Sequence, residues 1–441
     1  MVTQPDRVMR SNVIKRDWTI DIVRVCSITV VVIVHWISIR VTVVDGTVRG
    51  DPALHGRPIG ALTWPLQVMP MFFLAGGFAN TLIVDRYRAR GRTYGDYLGL
   101  RVRRLTTPVI ALIAFIVALD IGLDAFSEPA AAAAADVVAS PLWFLAVYLI
   151  AAMVAPFAVR AHDVSALLAP VVLLGCSFAV DVLRFGGVGR FAEWNLIFVW
   201  LFCHQLGILY ARGTLGPIGD SGVLLIAAAG IGVLIVMVVP GPYFPTMLGL
   251  ADAPVSNLAP PTTAMSILAV TQFAVLVLVS RRLTGWQPRG RARRVITTGA
   301  TQLMNIYLWH IPAMAIVTGA ALAAPLLLPS DAGTWWVARP LWIVAAAVVL
   351  FGFVRITGRW DAFCARYAAR TATLPVLAGS VLAAAGIFAL WRYGLSPHGM
   401  AGLAALSVVL AAVLLTTTRR TPYFQSKSSK SSRSCRTSGP S

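Results

Sequence analysis

An arginine and a histidine lie inside the first hydrophobic segment of the chain, Trp18 to Ile39. Arg24 and His35 are eleven positions apart, so on an α-helix both side chains project from one face. They are separated by about 16 Å along the helix axis. Asp21 precedes Arg24 by three residues and shares that face. Ionisable groups inside a membrane helix are energetically costly, so this pattern predicts a functional site.

The same three residues also admit structural interpretations. Arg24 could extend toward lipid phosphates at the nearer membrane boundary, with Asp21 as its partner. His35 is too far from either boundary for that, but it could form a hydrogen bond to a neighbouring helix. Asp21 is too far along the helix to orient His35, so its expected role is to hold Arg24.

A second group of arginines ends the basic stretch 85–104, where the third hydrophobic segment begins. Arg101 and Arg104 are three residues apart and share a helical face, and Arg103 lies between them. Guanidinium groups match the geometry of phosphate groups, and a helix N-terminus adds partial positive charge. Ordinary anchoring of a helix by cytoplasmic basic residues produces the same pattern, so both interpretations stay open.

Further candidates are polar or aromatic residues in other hydrophobic segments. Trp143 enters the fourth segment, and His204 lies in the sixth. Tyr307 and His310 are three residues apart in the ninth and could face one cavity. Such side chains also serve as hydrogen-bond partners between helices.

The sequence contains no HExxH, GxxxxGK or GxSxG motif, and its five cysteines form no CxxC pair. These absences weigh against metalloprotease, ATPase and lipase functions, and no metal site is predicted.

Composition predicts that membrane-spanning helices position these residues. The chain is 58% hydrophobic and 12% charged, whereas soluble domains carry about 25% charged residues. Repeated apolar runs of about 20 residues predict an all-α polytopic transmembrane helical bundle. The twelve predicted spans are 18–39, 59–84, 105–121, 141–159, 164–181, 195–210, 221–240, 262–280, 299–324, 335–354, 372–391 and 399–417.

Charge distribution predicts the orientation of the bundle. With the N-terminus cytoplasmic, inner segments hold 29 of the 37 Lys and Arg residues, outer segments hold seven, and Arg24 is the remaining one. The positive-inside rule therefore predicts that both termini face the cytoplasm, as in a multi-pass protein of the inner (plasma) membrane. The net charge of +19 is thus mostly a topology signal, and no nucleic-acid partner is expected. The alanine run 130–135 is too short to span and is expected in an external loop or short surface helix.

Five motifs in this order resemble the acyltransferase-3 family of integral membrane acyltransferases, over roughly residues 16–355. The motifs are RDWTIDIVR with the Arg24 and His35 pair, FFLAGGF at 72–78, RVRRL with Arg101 and Arg104, PLWFL at 141–145, and NIYLWHIP at 305–312. One position departs from the family pattern, because Gly76 stands where the family usually has serine. A hydroxyl role at that position is therefore in doubt.

The resemblance implies a domain organisation. A cytoplasmic segment, 1–17, would precede a membrane acyltransferase core of about ten spans at 18–355. Two additional spans would follow at 356–417. The basic, serine-rich tail 418–441 is expected to be disordered.

The resemblance also implies an activity: transfer of an acetyl or similar acyl group from cytoplasmic acyl-CoA, the donor substrate, to a hydroxyl group. The acceptor would belong to an envelope glycan, a glycolipid or a secondary metabolite. His35 would act as general base or form a transient acyl-histidine, Arg24 would steady the donor, and Asp21 would fix Arg24, so the three form the implied catalytic group. The other implied roles are donor binding by Arg101, Arg103 and Arg104, and acceptor binding by Trp143, His204, Tyr307 and His310.

Two other classes of function fit parts of the sequence. A transporter or flippase for a polar or lipid-linked solute would also have many spans and intramembrane charges, although no internal repeat is evident. Such a protein needs no acyl-CoA site, so Lys should replace Arg101 and Arg104 without loss. A non-catalytic membrane scaffold with a basic tail would leave His35 and His310 without a chemical role.

Overall fold

The computed structural model describes residues 16–44, 47–53, 60, 63–124, 137–249, 255–324, 332–394 and 399–420. This part of the chain is a helical bundle with two short antiparallel strand pairs. Among the described residues, eleven helices are long and apolar enough to cross a membrane, and a twelfth apolar helix is shorter, at 17 residues. The prediction of an all-α polytopic bundle is confirmed.

The elements follow the predicted spans in order. The helices are α1 (Trp18–Ser38), α2 (Thr63–Leu66), α3 (Met69–Ala89), α4 (Tyr94–Asp124), α5 (Leu142–Val164), α6 (Leu168–Phe185), α7 (Asn195–Arg212), α8 (Asp220–Val238), α9 (Thr263–Arg282), α10 (Gly290–Ala323), α11 (Ala332–Cys364), α12 (Thr373–Tyr393) and α13 (Gly399–Leu415). A 3₁₀ helix, Gly189–Trp194, precedes α7. The strands are β1 (Ile39–Val44), β2 (Thr47–Pro52), β3 (Tyr367–Ala369) and β4 (Thr416–Arg420), with β1 paired to β2 and β3 to β4.

Helix α4 begins earlier than the sequence predicted. The turn after α3 takes only a few residues, with Gly91 at a φ of 62°, and α4 starts at Tyr94. Arg101 and Arg104 therefore lie about two and three turns inside α4, respectively, and the expectation that a helix N-terminus assists them is wrong. The physical reason is that Thr93 and Asp96 cap the helix, since each side chain accepts the backbone N–H of the other, so α4 begins before its apolar part.

Two predicted segments fall at the edges of the described structure. The alanine run 130–135 lies outside the described residues, as does 421–441 in the predicted tail. The first residues of that tail, 418–420, form the end of β4.

The centre of the bundle is held by a close crossing of α3 and α7. A Cβ atom added at Gly77 would lie 1.9 Å from the carbonyl oxygen of His204, and one added at Gly207 would lie 1.9 Å from that of Leu74. The two backbones are therefore in direct contact, as small residues allow in membrane helices.

The last two helices are part of the same bundle. Helices α12 and α13 pack along each other, and α12 also packs against α4 and α5. Gly95 and Gly99 of α4 allow this approach, since added Cβ atoms would lie 2.1 Å from the carbonyl oxygens of Thr371 and Arg370, respectively. Any activity of the core is therefore built on a scaffold that includes α12.

The bundle has two faces. The N-terminal face is the end where α1 begins. There the Tyr210 hydroxyl at the end of α7 donates to Asp17 Oδ2 at 3.0 Å, and the Arg293 guanidinium of α10 lies over the Trp18 ring. The opposite face is the end where α1 finishes and α5, α7 and α9 begin.

Candidate active site

Two histidines from distant parts of the chain meet inside the bundle. His35 Nδ1 of α1 lies 3.3 Å from His310 Nε2 of α10, and the ring centroids are 4.9 Å apart. The sequence predicted both residues as site candidates in separate roles. The structure brings them together as one pair.

Backbone hydrogen bonds assign the tautomers of this pair. His35 Nδ1 lies 2.8 Å from the carbonyl oxygen of Val31, and His310 Nδ1 lies 2.6 Å from that of Tyr307. A ring nitrogen so close to a carbonyl oxygen must carry the proton and donate it. Both Nε2 atoms of the neutral rings then carry lone pairs, and that of His310 faces the N–H of His35.

His35 is more accessible than its partner in the pair. His310 is fully buried, whereas the His35 side chain keeps an exposed surface although dense protein surrounds it. The imidazole of His35 is therefore the accessible member of the pair. Because the hydrogen bonds of His35 in the described structure use Nδ1, its Nε2 atom is free to meet a bound molecule.

Three contacts fix the histidine pair in place. Trp36 Nε1, next to His35 on α1, donates to the carbonyl oxygen of His310 at 2.8 Å. The Tyr307 hydroxyl donates to the carbonyl oxygen of Pro141 at 2.6 Å. Arg339 of α11 donates to the carbonyl oxygens of Trp36 and, at 3.4 Å, Ile39.

Arg339 is a functional candidate that the sequence interpretation missed, since it was counted only among the seven basic residues of the outer segments. Arg339 is 5% exposed, and its guanidinium lies over the rings of Trp335 and Trp342. By binding the last carbonyls of α1, Arg339 satisfies groups that a helix leaves unpaired at its C-terminus. The signal available in sequence was a lone arginine among three tryptophans in TWWVARPLW.

Three arginines form a cluster nearer the N-terminal face. Arg24 of α1 is close enough to Arg101 and Arg104 of α4 to interact with both electrostatically, and also with Tyr148 of α5. If the Arg24 pattern of the first segment and the Arg101 and Arg104 pair belong to one site, the three arginines must lie close together, as they do here. Like charges held together raise the affinity of a site for anions.

Tyr148 anchors this cluster and was not predicted. Its hydroxyl accepts a hydrogen bond from Arg101 Nη2 at 2.8 Å, and the guanidinium carbon lies 5.8 Å from the ring centroid. Gly76 of α3 makes room for the ring, because an added Cβ there would lie 2.6 Å from Tyr148 Cε2. The small residue in FFLAGGF thus accommodates Tyr148. The clue in sequence was the four-residue spacing from Phe144, which puts both rings on one face of α5.

Acidic residues balance only part of the positive charge. Asp21 Oδ1 lies 3.8 Å from Arg24 Nη1, and the other oxygen of Asp21 is paired with Arg16. The predicted role of Asp21, to hold Arg24, agrees with this geometry. In the part of the chain that the structure describes, no carboxylate lies within ion-pair distance of Arg101 or Arg104.

A second carboxylate borders the cluster at longer range. Asp361 interacts electrostatically with Arg104, and its Oδ2 atom accepts a hydrogen bond from Asn305 Nδ2 at 2.9 Å. Four guanidinium groups, including that of Arg16, therefore face two carboxylates, and positive charge is in excess.

Comparison with protein families identifies the class of this membrane protein. The acyltransferase domain model of the acyltransferase-3 family matches residues 17–360, which is more than half of the chain. The chain belongs to this family. The comparison with curated proteins and the comparison with solved structures found no match. The protein is accordingly a membrane acyltransferase, and the histidine pair and the arginine cluster both lie within the matched region.

Two predicted site residues of this acyltransferase lie elsewhere. Arg103 donates to the carbonyl oxygens of Cys364 and Tyr367, at 3.1 and 2.7 Å, and so ties α4 to the end of α11. It leaves the cluster because adjacent residues on a helix point about 100° apart. His204 is buried, and its Nε2 atom accepts a hydrogen bond from Asn80 Nδ2 at 3.1 Å, which links α7 to α3.

The remaining predicted residue, Trp143, lies toward the opposite face. Its ring centroid is 5.5 Å from that of Trp200, and it borders a cavity there. Among the described residues, no group of three His, Cys, Asp or Glu side chains is arranged to hold a metal ion.

Proposed function

We propose that this acyltransferase moves an acetyl or similar acyl group from acyl-coenzyme A to a hydroxyl group of an envelope glycan, a glycolipid or a secondary metabolite. The observation that carries the proposal is the arrangement along α1. Arg24, in the cationic cluster, and His35, with its free Nε2 atom, share one helix face about 16 Å apart.

The arginine cluster is the proposed donor site. Coenzyme A carries several phosphate groups, and guanidinium groups bind phosphate through paired, charge-assisted hydrogen bonds. Arg101 and Arg104 are without an ion-paired carboxylate in the described structure, so their charge is available. The extended pantetheine arm of coenzyme A can cover the distance from this cluster to His35 and bring the thioester to the imidazole.

His35 is the proposed group for the chemical step. As general base, its Nε2 atom takes the proton of the acceptor hydroxyl while the oxygen attacks the thioester carbonyl. The C–O bond forms, the C–S bond breaks, and the imidazolium returns the proton to the departing thiolate. Val31 and His310 stabilise the cation because both accept from Nδ1.

Nucleophilic catalysis is a second route through the same atom. His35 Nε2 would attack the thioester directly and release the coenzyme A thiolate. The acceptor hydroxyl would then displace the acyl group from the imidazole, and its proton would pass to Nε2 and from there to the thiolate. Both routes need an unprotonated Nε2 atom that is accessible to the substrates. Trapping of labelled acyl-protein after incubation with donor alone separates them.

The N-terminal face is proposed to be cytoplasmic, in the inner (plasma) membrane. Basic residues are concentrated at that face, as the positive-inside rule requires. The donor cluster lies toward the same face, where acyl-coenzyme A is available. Acceptors would then approach His35 from the opposite face.

The first experiment measures binding and turnover of radiolabelled acetyl-coenzyme A by the full-length protein in detergent. We expect Arg101→Ala to weaken donor binding by about tenfold or more, since it removes a charged hydrogen-bond donor. Arg282→Ala is the matched control, because Arg282 is an exposed arginine at the same face. The His35→Ala variant should still bind the donor but should no longer transfer the acyl group.

The control for the histidine change is His162→Gln, at the last turn of α5 and away from the pair. If the wild-type protein binds neither acetyl-, succinyl- nor longer acyl-coenzyme A, the proposal fails and transport assays become the next measurement.

A further inference from the structure

A cavity opens at the opposite face, on the side where acceptors are proposed to arrive. Its volume is about 250 Å³, and its walls include Trp143, Glu193, Leu196, Trp391 and Arg392. Ligand pockets for drug-sized molecules start at about 300 Å³, so this cavity suits a single small ring.

The walls combine two indole rings with charges of both signs. Glu193 and Arg392 are exposed and form no ion pair with each other in the described structure, so both can bind a guest. A carboxylate accepts hydrogen bonds from hydroxyl groups, and a guanidinium donates to them. Indole rings offer flat apolar surfaces to C–H faces.

We propose that this cavity binds one sugar ring of the acceptor. A sugar presents hydroxyl groups around its rim and C–H groups on its faces, which matches the two kinds of wall. A phosphate headgroup would be repelled by Glu193, and an acyl chain would leave both charges without partners. The inference rests on the proposed function for its role and names the chemistry of the acceptor.

Fixed backbone contacts hold the walls of the cavity. Asp181 at the end of α6 accepts hydrogen bonds from Asn195 Nδ2 at 2.9 Å and from the backbone N–H of Thr263 at 2.7 Å, which joins the starts of α7 and α9. Arg184 donates to the carbonyl oxygen of Pro260, another wall residue, at 3.1 Å. The site is therefore largely formed before a sugar arrives.

Ring contacts connect the cavity to the histidine pair. The Trp143 ring is 6.2 Å from Phe144, Phe144 is 4.9 Å from Tyr307, and Tyr307 is 5.8 Å from His310, between centroids. The cavity is thus joined to the histidine pair by a continuous row of packed rings.

Part of the subsite lies outside the region that the family model matches. Trp391 and Arg392 belong to α12, which follows the region matched by the family, residues 17–360. Phe388 supports the Trp391 ring at 5.2 Å between centroids. The helix beyond the family core therefore contributes half of the aromatic and half of the charged wall, and it determines which sugar is accepted.

Fluorine NMR of the full-length protein labelled with fluorotryptophan tests this site. The probes are methyl glycosides of glucose, galactose, mannose and N-acetylglucosamine, each titrated to millimolar concentration. Trp143→Phe, Trp391→Phe and Trp336→Phe variants assign three resonances. We expect at least one glycoside to shift the Trp143 and Trp391 resonances in a saturable manner, while that of Trp336, exposed on α11, stays unchanged.

Charge variants provide the second measurement. Arg392→Gln and Glu193→Gln should each weaken the binding of that glycoside by about fivefold, because a charge-assisted hydrogen bond is replaced by a weaker neutral one. Arg190→Gln, at the same face but outside the walls, should retain wild-type affinity. Absence of a saturable shift with all four glycosides, or equal shifts at Trp336, overturns the inference, as does a shift produced only by added phospholipid.

Coenzyme A binding is measured on the same preparations and tests the proposed function independently. Donor binding without a sugar shift refutes the subsite and leaves the acyltransferase proposal standing. A sugar shift without donor binding refutes the proposed reaction and leaves a sugar site.

Discussion

His35 Nδ1 and His310 Nε2 are 3.3 Å apart although the residues are 275 positions apart in the chain. Each imidazole is held by a backbone carbonyl on its own helix, so the contact depends on how α1 and α10 pack. The pair lies on the same face of α1 as Arg24, which interacts with the arginines of α4. A cationic cluster and an imidazole are thereby aligned along one helix.

The pair predicts unequal effects of two histidine substitutions. His35→Gln should lower kcat by about 100- to 10,000-fold, the usual contribution of a general acid or base. His310→Gln should lower it by about 10- to 100-fold, because His310 positions the ring of His35 and does not touch the substrate. Coenzyme A release under saturating donor measures both, and equal losses would contradict the separate roles.

Tyr148 should affect donor binding through Arg101. Tyr148→Phe keeps the ring beside Gly76 and removes the hydroxyl that accepts from Arg101, so the dissociation constant of coenzyme A should rise about tenfold. Gly76→Ser should have a similar effect because its Cβ displaces the ring. Since both changes act on one contact, their effects should not add in the double variant. Calorimetric titration provides the values, and full additivity contradicts the shared contact.

Lysine substitutions distinguish a bidentate phosphate site from general positive charge. Arg101→Lys and Arg104→Lys keep the charge but lose the planar fork of donors, so each should still weaken coenzyme A binding severalfold. Arg282→Lys is the control at the N-terminal face. Unchanged affinity in both variants would show that charge alone is recognised.

The crossing of α3 and α7 predicts a stability difference between two glycines. Gly207→Ala places a methyl group where the carbonyl oxygen of Leu74 lies, so it should destabilise the protein by about 1–3 kcal/mol or more. Gly232→Ala in α8 meets open space and should be neutral or slightly stabilising. Thermal unfolding in detergent compares the two, and equal melting temperatures contradict the close crossing.

Arg339 should contribute to stability and to the position of His35. Arg339→Met removes the charged donor at the end of α1 and should lower the free energy of unfolding by about 1.5–3 kcal/mol. The apolar contact with Trp335 is largely kept. Activity should fall with it, because Trp36 and His35 occupy the last turn of α1. The control is Arg355→Met in the same helix, which is exposed and stacked on Phe351.

Periodicity and composition determined the membrane class, the order of the spans and the common face of Arg24 and His35. These features depend on one helix at a time, since length, apolar content and the 100° step between residues are local properties. The motif order was sufficient to indicate the family that the comparison confirms.

Tertiary structure decided which helix faces meet. The contact of His35 with His310 and that of Tyr148 with Arg101 depend on helix packing, because the apolar faces of many helices are alike in sequence. The same holds for Arg103. The sequence grouped it with Arg101 and Arg104, whereas in the folded protein it donates to the carbonyl oxygen of Tyr367. A helical pattern specifies the direction of a side chain, and only the assembled bundle supplies its partner.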